Sequence, residues 1–350
     1  IYYISKALIK AGHIVDLYTM DIDKSFIKEG VNIIPTWSPR KGIPKLRYIT
    51  YRLPALKKQL KSINYDIVYM RGRSLYSASV IKALYSTKTI TVIGIAHDSN
   101  LSWRTWKQSF PTRSKWGDFF SWLNLKYFHA FSLRLADVVI TQNDYQSEIA
   151  KKYSTNVLLC PNIIQNNMKK NSPQHIVYSD VVWIGGLRLE KGIESLFQII
   201  DSLPKIKFTV IGETTGSRQY HISKKLMQKH NVIYLNHVDN NSILGILRAS
   251  KLLLNTSPHE GFSNTFLEAW LSGIPVIALH VNPSKLLSDM KLGYCANGDK
   301  DALIKNMLYL LNNKSLRTEM GNYAKKYVLK EHNADKVVQL FEKIGSSTMM

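Results

Sequence analysis

The chain has 350 residues, 45% hydrophobic and 21% charged, which excludes a disordered protein and is long enough to divide between two hydrophobic cores. Its two cysteines, Cys160 and Cys295, are too few for a disulfide framework and lack metal-ligand spacing, so they fit a reducing compartment. The formal charge is +22, and it is uneven: residues 1–172 hold 26 basic and 10 acidic residues, residues 173–350 hold 21 and 15, so the first half suits an anionic contact such as phosphate, a membrane surface or nucleic acid.

Ile1–Lys10 reads as a helix that passes through Gly12-His13 into a strand. A doubly wound domain ordinarily opens with a strand and a glycine turn before that helix, so the expectation is a first domain lacking its opening strand, and destabilised by that. Ile14–Thr19, Val31–Ile34, Asp66–Met70, Thr89–Ile95 and Val138–Thr141 then read as buried strands. The amphipathic segments Pro54–Ser62, Ser74–Tyr85 and Gly117–Leu135 lie between them, a rhythm of βα units and parallel sheet. Pro161–Gln174, rich in Asn, Lys and Pro, reads as a linker. The rhythm restarts with strands at Val181–Ile184, Phe208–Ile211, Val232–Leu235, Leu252–Asn255 and Val276–Ala278, and Thr318–Ile344 reads as helix. The expected architecture is α/β: a Rossmann-like domain over 1–172, a second over 173–330, and a C-terminal helix over 331–350 that packs back on the first. Ligands of such sheets bind beyond the carboxyl ends of the strands, which makes a cleft between the domains the expected site. No apolar run approaches the ~20 residues that span a bilayer and no signal peptide is visible, so the expected location is cytoplasmic, with peripheral docking on the inner face of the cell membrane left open by the charge.

The chemistry concentrates after the fourth strand of the second series. His259-Glu260-Gly261 leads into a helix from about Ser263 to Ser272 that ends at Gly273-Ile274-Pro275. Phe262, Phe266 and Trp270 recur at helical spacing and mark its buried face, while Asn264 and Glu268 share a polar face. The small residues Gly261, Ser263, Asn264 and Thr265 leave the first-turn amides accessible to a diphosphate. Glu260 and Glu268 lie roughly 8 Å apart along the helix axis, about the span from a ribose to a sugar on either side of a diphosphate. Carboxylates accept hydrogen bonds from vicinal hydroxyls, so one could hold each sugar. Taken singly, each glutamate also reads as an acidic residue near a helix start or on a surface.

Glu260-Gly261-Phe262, Glu268-Ala269 and Gly273-Ile274-Pro275-Val276 together resemble the signature of family 4 glycosyltransferases, and the resemblance extends over nearly the whole chain. It implies the GT-B fold, two Rossmann-like domains facing a central cleft. It further implies that Glu268 binds the nucleotide ribose, that Glu260 contacts the donor sugar, and that amides around Asn264 and Thr265 meet the diphosphate. Trp183-Ile184-Gly185-Gly186-Leu187-Arg188-Leu189-Glu190-Lys191-Gly192 resembles the family's glycine–arginine turn and Glu-Lys-Gly helix start, with Lys191 at the phosphate-contacting position. Gly186 stands where the family commonly has an arginine, so Arg188 is either its substitute or a surface charge. His97, after the strand ending near Ile95, resembles the strand-end histidine that faces the donor sugar; Asp98 beside it reads equally as a turn cap. Pro161-Asn162 resembles a hinge. Val281–Leu286 replaces the family's glycine-rich turn, and no side-chain role carries over to Lys285.

Residues 101–128 interleave Trp103, Trp106, Trp116 and Trp122 with Arg104, Lys107, Arg113, Lys115 and Lys126. This pattern fits docking on an anionic bilayer that holds a lipid-linked acceptor, or buried tryptophans beside scattered lysines; nucleic acid is not expected. The resulting expectation is a retaining glycosyltransferase that moves a hexosyl unit from a UDP- or GDP-sugar to a glycan or lipid-linked acceptor, without metal or other cofactor, in cell-surface polysaccharide or glycolipid biosynthesis. Its rivals are a GT-B nucleotide-sugar epimerase, a basic nucleic-acid-binding protein and an inactive relative.

Overall fold

The structure is a computed structural model describing residues 1–20, 22–38, 41–43, 46–60, 64–72, 75–101, 119, 122, 127, 130–160, 162–164, 178–214 and 216–346, which form two compact units. Trp103, Trp106 and Trp116, the basic residues between them, and most of the linker lie outside the described residues. The described residues within 1–163 and 333–346 make unit 1, and those within 164–332 make unit 2.

Unit 1 runs α1 (Tyr2–Lys10), β1 (Asp16–Thr19), β2 (Phe26–Lys28), β3 (Val31–Pro35), α2 (Leu53–Leu60), β4 (Ile67–Arg71), α3 (Leu75–Leu84), β5 (Ile90–Gly94), α4 (Ala130–Leu135), β6 (Val138–Thr141), α5 (Asp144–Ala150) and β7 (Val157–Leu159). Its strands form two sheets: β1-β3-β2, and the parallel sheet β4-β5-β6-β7. Among the described residues β1 and β4 are both edge strands, and the hydroxyl of Tyr65, two residues before β4, donates to Asp16 of β1. β2 pairs antiparallel with β3 through a two-residue turn in which Glu29 (φ 49°) and Gly30 (φ 83°) are both left-handed, the geometry that twists with a hairpin. β5 is buried along its length, and its one polar side chain, Thr91, is satisfied there by donating its hydroxyl to Asp137 Oδ2 at 2.7 Å.

Unit 2 runs β8 (Ser179–Ile184), α6 (Ile193–Ser202), β9 (Phe208–Ile211), α7 (Ser217–Met227), β10 (Val232–Leu235), α8 (Asn240–Arg248), β11 (Ser250–Asn255), α9 (Asn264–Leu271), β12 (Val276–Ala278), α10 (Leu286–Asp289), β13 (Gly293–Cys295), α11 (Lys300–Asn312) and α12 (Lys314–Glu331). The sheet order is β10-β9-β8-β11-β12-β13, parallel throughout. Strand order reverses between β8 and β11, the topological switch point at which doubly wound sheets open a crevice. The two faces carry separate cores, one with Phe266, Trp270 and Val276, the other with Trp183, Leu196, Phe208 and Leu254. Each such side chain contributes about 1.5–3 kcal/mol on burial.

The expected helix Thr318–Ile344 is interrupted. α12 ends at Glu331, and α13 (Ala334–Ser346) starts afresh where Asn333 Oδ1 accepts the Lys336 N–H at 3.1 Å. Val328 of α12 packs in unit 2, whereas Val337, Phe341 and Ile344 of α13 pack on β5 and β6 of unit 1. One amphipathic stretch serves two cores, so the chain must turn between them.

Candidate functional site

The site in unit 2 grows from the carboxyl ends of β8 and β11, the two strands flanking the switch point. β11 is central and apolar, and the chain stays buried beyond it through Thr256 and Ser257. After β8 the chain makes a glycine turn and a short 3-10 segment, Leu189–Lys191, ending in Gly192. Gly192 is left-handed at φ 68°, and a Cβ there would stand 2.0 Å from the Thr256 carbonyl oxygen, so only glycine fits. The Thr256 hydroxyl meets the Trp183 indole N–H at 2.9 Å and the Lys191 carbonyl at 2.8 Å. From this turn Lys191 reaches across the switch point to Glu260, Nζ to Oε1 2.5 Å, with side-chain exposures of 33% and 10%. Two residues 69 positions apart, each singled out from its own motif, are thereby an ion pair.

α9 follows Glu260. Its buried side is Phe266 and Trp270, with Phe262 just ahead of the helix, as the spacing predicts, and the Trp270 indole donates to the Leu292 carbonyl at 3.0 Å. Ser263 is the N-cap residue but does not cap with its side chain; its hydroxyl is hydrogen-bonded to that of Thr265 at 2.8 Å. Asn264 opens the helix exposed, and Gly261 is buried behind it. Ser263 thus leaves the first-turn amides without a cap from its own side chain, which suits an anion at the positive end of the helix. Glu268 lies one turn further in, with no hydrogen-bond or ion-pair partner for its carboxyl among the described residues. Burial alone raises its pKa from the usual carboxylate range to about 7.

Arg188 folds back over the preceding turn: a Cβ on Gly186 would lie 3.0 Å from its Nε and 3.2 Å from its Nη2. Its guanidinium thus sits against the position where the family commonly carries its arginine, while also approaching Glu190 at 3.4 Å. His97 belongs to unit 1, beyond the carboxyl end of β5, with its N–H donating to Asn100 Oδ1 at 3.2 Å. Asp98 accepts from Asn143 Nδ2 at 3.3 Å and Gln146 Nε2 at 2.9 Å, which ties the β5 loop to the start of α5. Asn162 accepts from Arg71 Nη2 and Gln142 Nε2, so it fastens strand ends of unit 1. Sequence reasoning missed Thr256 and Trp183 as parts of the site, because a hydrogen bond between buried side chains 73 residues apart leaves no periodic trace. Among the described residues no group of three or more His, Cys, Asp and Glu side chains gathers as a metal site, and no helix is long and apolar enough to cross a membrane.

Residues 1–164 match the family described as Glycosyltransferase Family 4, and residues 164–327 match Glycosyl transferases group 1. Poly(ribitol-phosphate) alpha-N-acetylglucosaminyltransferase of Staphylococcus aureus is 24% identical over 226 residues, 61% of this chain and 44% of that protein, so the match spans less than half of the relative. Among solved structures, sucrose-phosphate synthase from Thermosynechococcus elongatus superposes with a TM-score of 0.75 at 17% identity, covering 98% of this chain and 92% of that one. A mutant of S. aureus TarM in complex with fondaparinux, alpha-GlcNAc-glycerol and UDP superposes with a TM-score of 0.64 at 18% identity, covering 85% of this chain and 59% of that one. With two parallel-sheet α/β units and family matches that run consecutively from residue 1 to residue 327, the chain belongs to the family 4, group 1 glycosyltransferases and has the GT-B fold.

Proposed function

We propose that the protein transfers a hexosyl unit from a nucleoside diphosphate sugar, UDP- or GDP-linked, to a glycan or lipid-linked acceptor, with retention at the anomeric carbon. The observation that carries this reading is the Lys191–Glu260 pair at the switch point, in front of the start of α9, where Ser263 makes no side-chain cap bond. In this reading the donor diphosphate lies on the first-turn amides of α9 from Ser263 to Thr265 and draws Lys191 toward it, with Arg188 beside it over Gly186. Glu260 then accepts from hydroxyls of the sugar, and Glu268 from the ribose. His97 keeps the role that the family resemblance gives it, a contact to the donor sugar. The bond from the anomeric carbon to the β-phosphate oxygen breaks while the acceptor oxygen bonds to the same face, and the acceptor proton passes to that phosphate oxygen. The products are a glycoside and a nucleoside diphosphate. Lys191 and the helix-start amides stabilise the charge that grows on the leaving diphosphate; loss of one such donor typically lowers turnover 100- to 1,000-fold. The UDP in the TarM complex favours a uridine donor, and the poly(ribitol-phosphate) relative favours a cell-surface polymer as acceptor.

Glu268→Ala is expected mainly to weaken donor binding and Glu260→Ala mainly to lower turnover, checked by titration calorimetry and initial rates. Unchanged binding and rate in both variants would sink the assignment. Proton NMR of the first-formed product is expected to show the donor's anomeric configuration. An isomerised nucleotide sugar with no released diphosphate would instead indicate an epimerase.

A further inference from the structure

Thr256 is a polar side chain only 1% exposed, between the buried Asn255 and Ser257, and its hydroxyl touches two groups whose chemistry fixes both hydrogen bonds. An indole N–H can only donate, so the Thr256 oxygen must accept from Trp183; a carbonyl can only accept, so the Thr256 hydrogen must go to Lys191. The order is Trp183 N–H to Thr256 O–H to Lys191 C=O, at 2.9 and 2.8 Å, with no freedom to reverse. The same residue presses its carbonyl against Gly192, where a Cβ would find only 2.0 Å. It also stands four positions ahead of Glu260 on the segment leaving β11. Both members of the Lys191–Glu260 pair are therefore referenced to one residue: Glu260 through the main chain, Lys191 through the hydroxyl.

We infer that Thr256, oriented by Trp183, is a positioning residue for donor binding: it pins the main chain of the Lys191 turn so that Nζ is held between Glu260 and the arriving diphosphate. The inference rests on the assignment of Lys191 to the donor phosphates. A lysine whose backbone is fixed loses less freedom when it engages a phosphate than one on a loose loop, so the relay acts on donor affinity. A buried threonine that merely satisfies a tryptophan would affect stability instead, without regard to Lys191.

The test is a cycle of Thr256→Val, which keeps the shape and removes the hydroxyl, with Lys191→Met, read by titration calorimetry with UDP and GDP and by the donor KM and kcat. Thr256→Val is expected to weaken nucleotide binding about tenfold, the size of one lost hydrogen bond. It should raise the donor KM more than it lowers kcat, and Thr256→Ser should bind within about twofold of wild type. In the Lys191→Met background, adding Thr256→Val should change affinity less than about twofold, because the group it positions is gone. Nucleotide binding by Thr256→Val equal to wild type, while Lys191→Met binds weakly, overturns the relay alone. Full additivity of the two substitutions overturns it as well. Unchanged binding by Lys191→Met overturns the donor assignment and the relay with it. Should Thr256→Val fail to fold, Trp183→Phe carries the test: it leaves the hydroxyl without its fixed donor and is expected to weaken binding about threefold, and wild-type affinity there overturns the relay.

Discussion

Glu268 keeps a carboxyl in a mostly buried place where no cation or hydrogen-bond donor meets it among the described residues, and burial lifts its pKa to about 7. A carboxyl whose folded pKa lies above its unfolded value stabilises the fold fully below pH ~4.5 and loses that contribution as pH rises through 7, on the order of 3 kcal/mol in all. Glu268→Gln has no such group to ionise. Thermal melting is therefore expected to place this variant several degrees above wild type at pH 8, with the gap closing toward pH 4.5; a gap independent of pH would refute the burial argument. Ribose hydroxyls donate best to the ionised form, so nucleotide binding near pH 6 is expected to release protons, seen as a heat that depends on the buffer. Glu260 is the opposite case, a carboxylate with 10% exposure that is paired. Lys191→Met strands it, an arrangement that costs more than the pair itself is worth. Melting should show Lys191→Met destabilised and the double variant Lys191→Met with Glu260→Gln recovering most of the loss.

At the scale of elements, α9 is the part on which the site depends. Phe266 and Trp270, with Phe262 just ahead of the helix, form its buried side, and Phe266→Ala is expected to cost about 3–5 kcal/mol, measurable as a lowered urea midpoint for unit 2. This helix was legible in the sequence because its apolar spacing, its small-residue start and its Gly273-Ile274-Pro275 close agree with one another. Strands β8 to β12 of unit 2 were legible for a related reason: Leu252, Leu253 and Leu254 in a row, for example, mark a central strand covered on both faces. β2 and β7 in unit 1 and β13 in unit 2 escaped, since three residues carry no period and, unlike the all-apolar β12, they offer no buried run. The break at His332-Asn333 escaped because the apolar spacing continues across it while the core behind it changes. Of the candidate site, Glu260, Glu268 and Lys191 were named from their strings, but the ion pair joining two of them and the Trp183–Thr256 hydrogen bond depend on which strands lie side by side.

At the scale of the molecule, the chain passes from one unit to the other at Ile163–Ile164 and back at His332–Asn333. On the unit 2 side the two crossings are joined by the Ile164 N–H donating to the His332 carbonyl at 3.1 Å. Peripheral docking on an anionic bilayer, left open by the sequence, would draw on the excess of basic residues in 1–172 and on the exposed Ile14, Phe26 and Ile27 of unit 1. Were it so, co-sedimentation would be strong with vesicles containing anionic lipid, weak with neutral ones, and would fall with added salt; equal binding to both would remove this reading. The central claim is that the donor binds at the switch point of unit 2. Its most direct test is titration of UDP and GDP into wild type, Lys191→Met and Glu268→Gln at pH 8. The account predicts one saturable site for one of the two nucleotides, weakened at least about tenfold in each variant; equal affinity in all three proteins would contradict it.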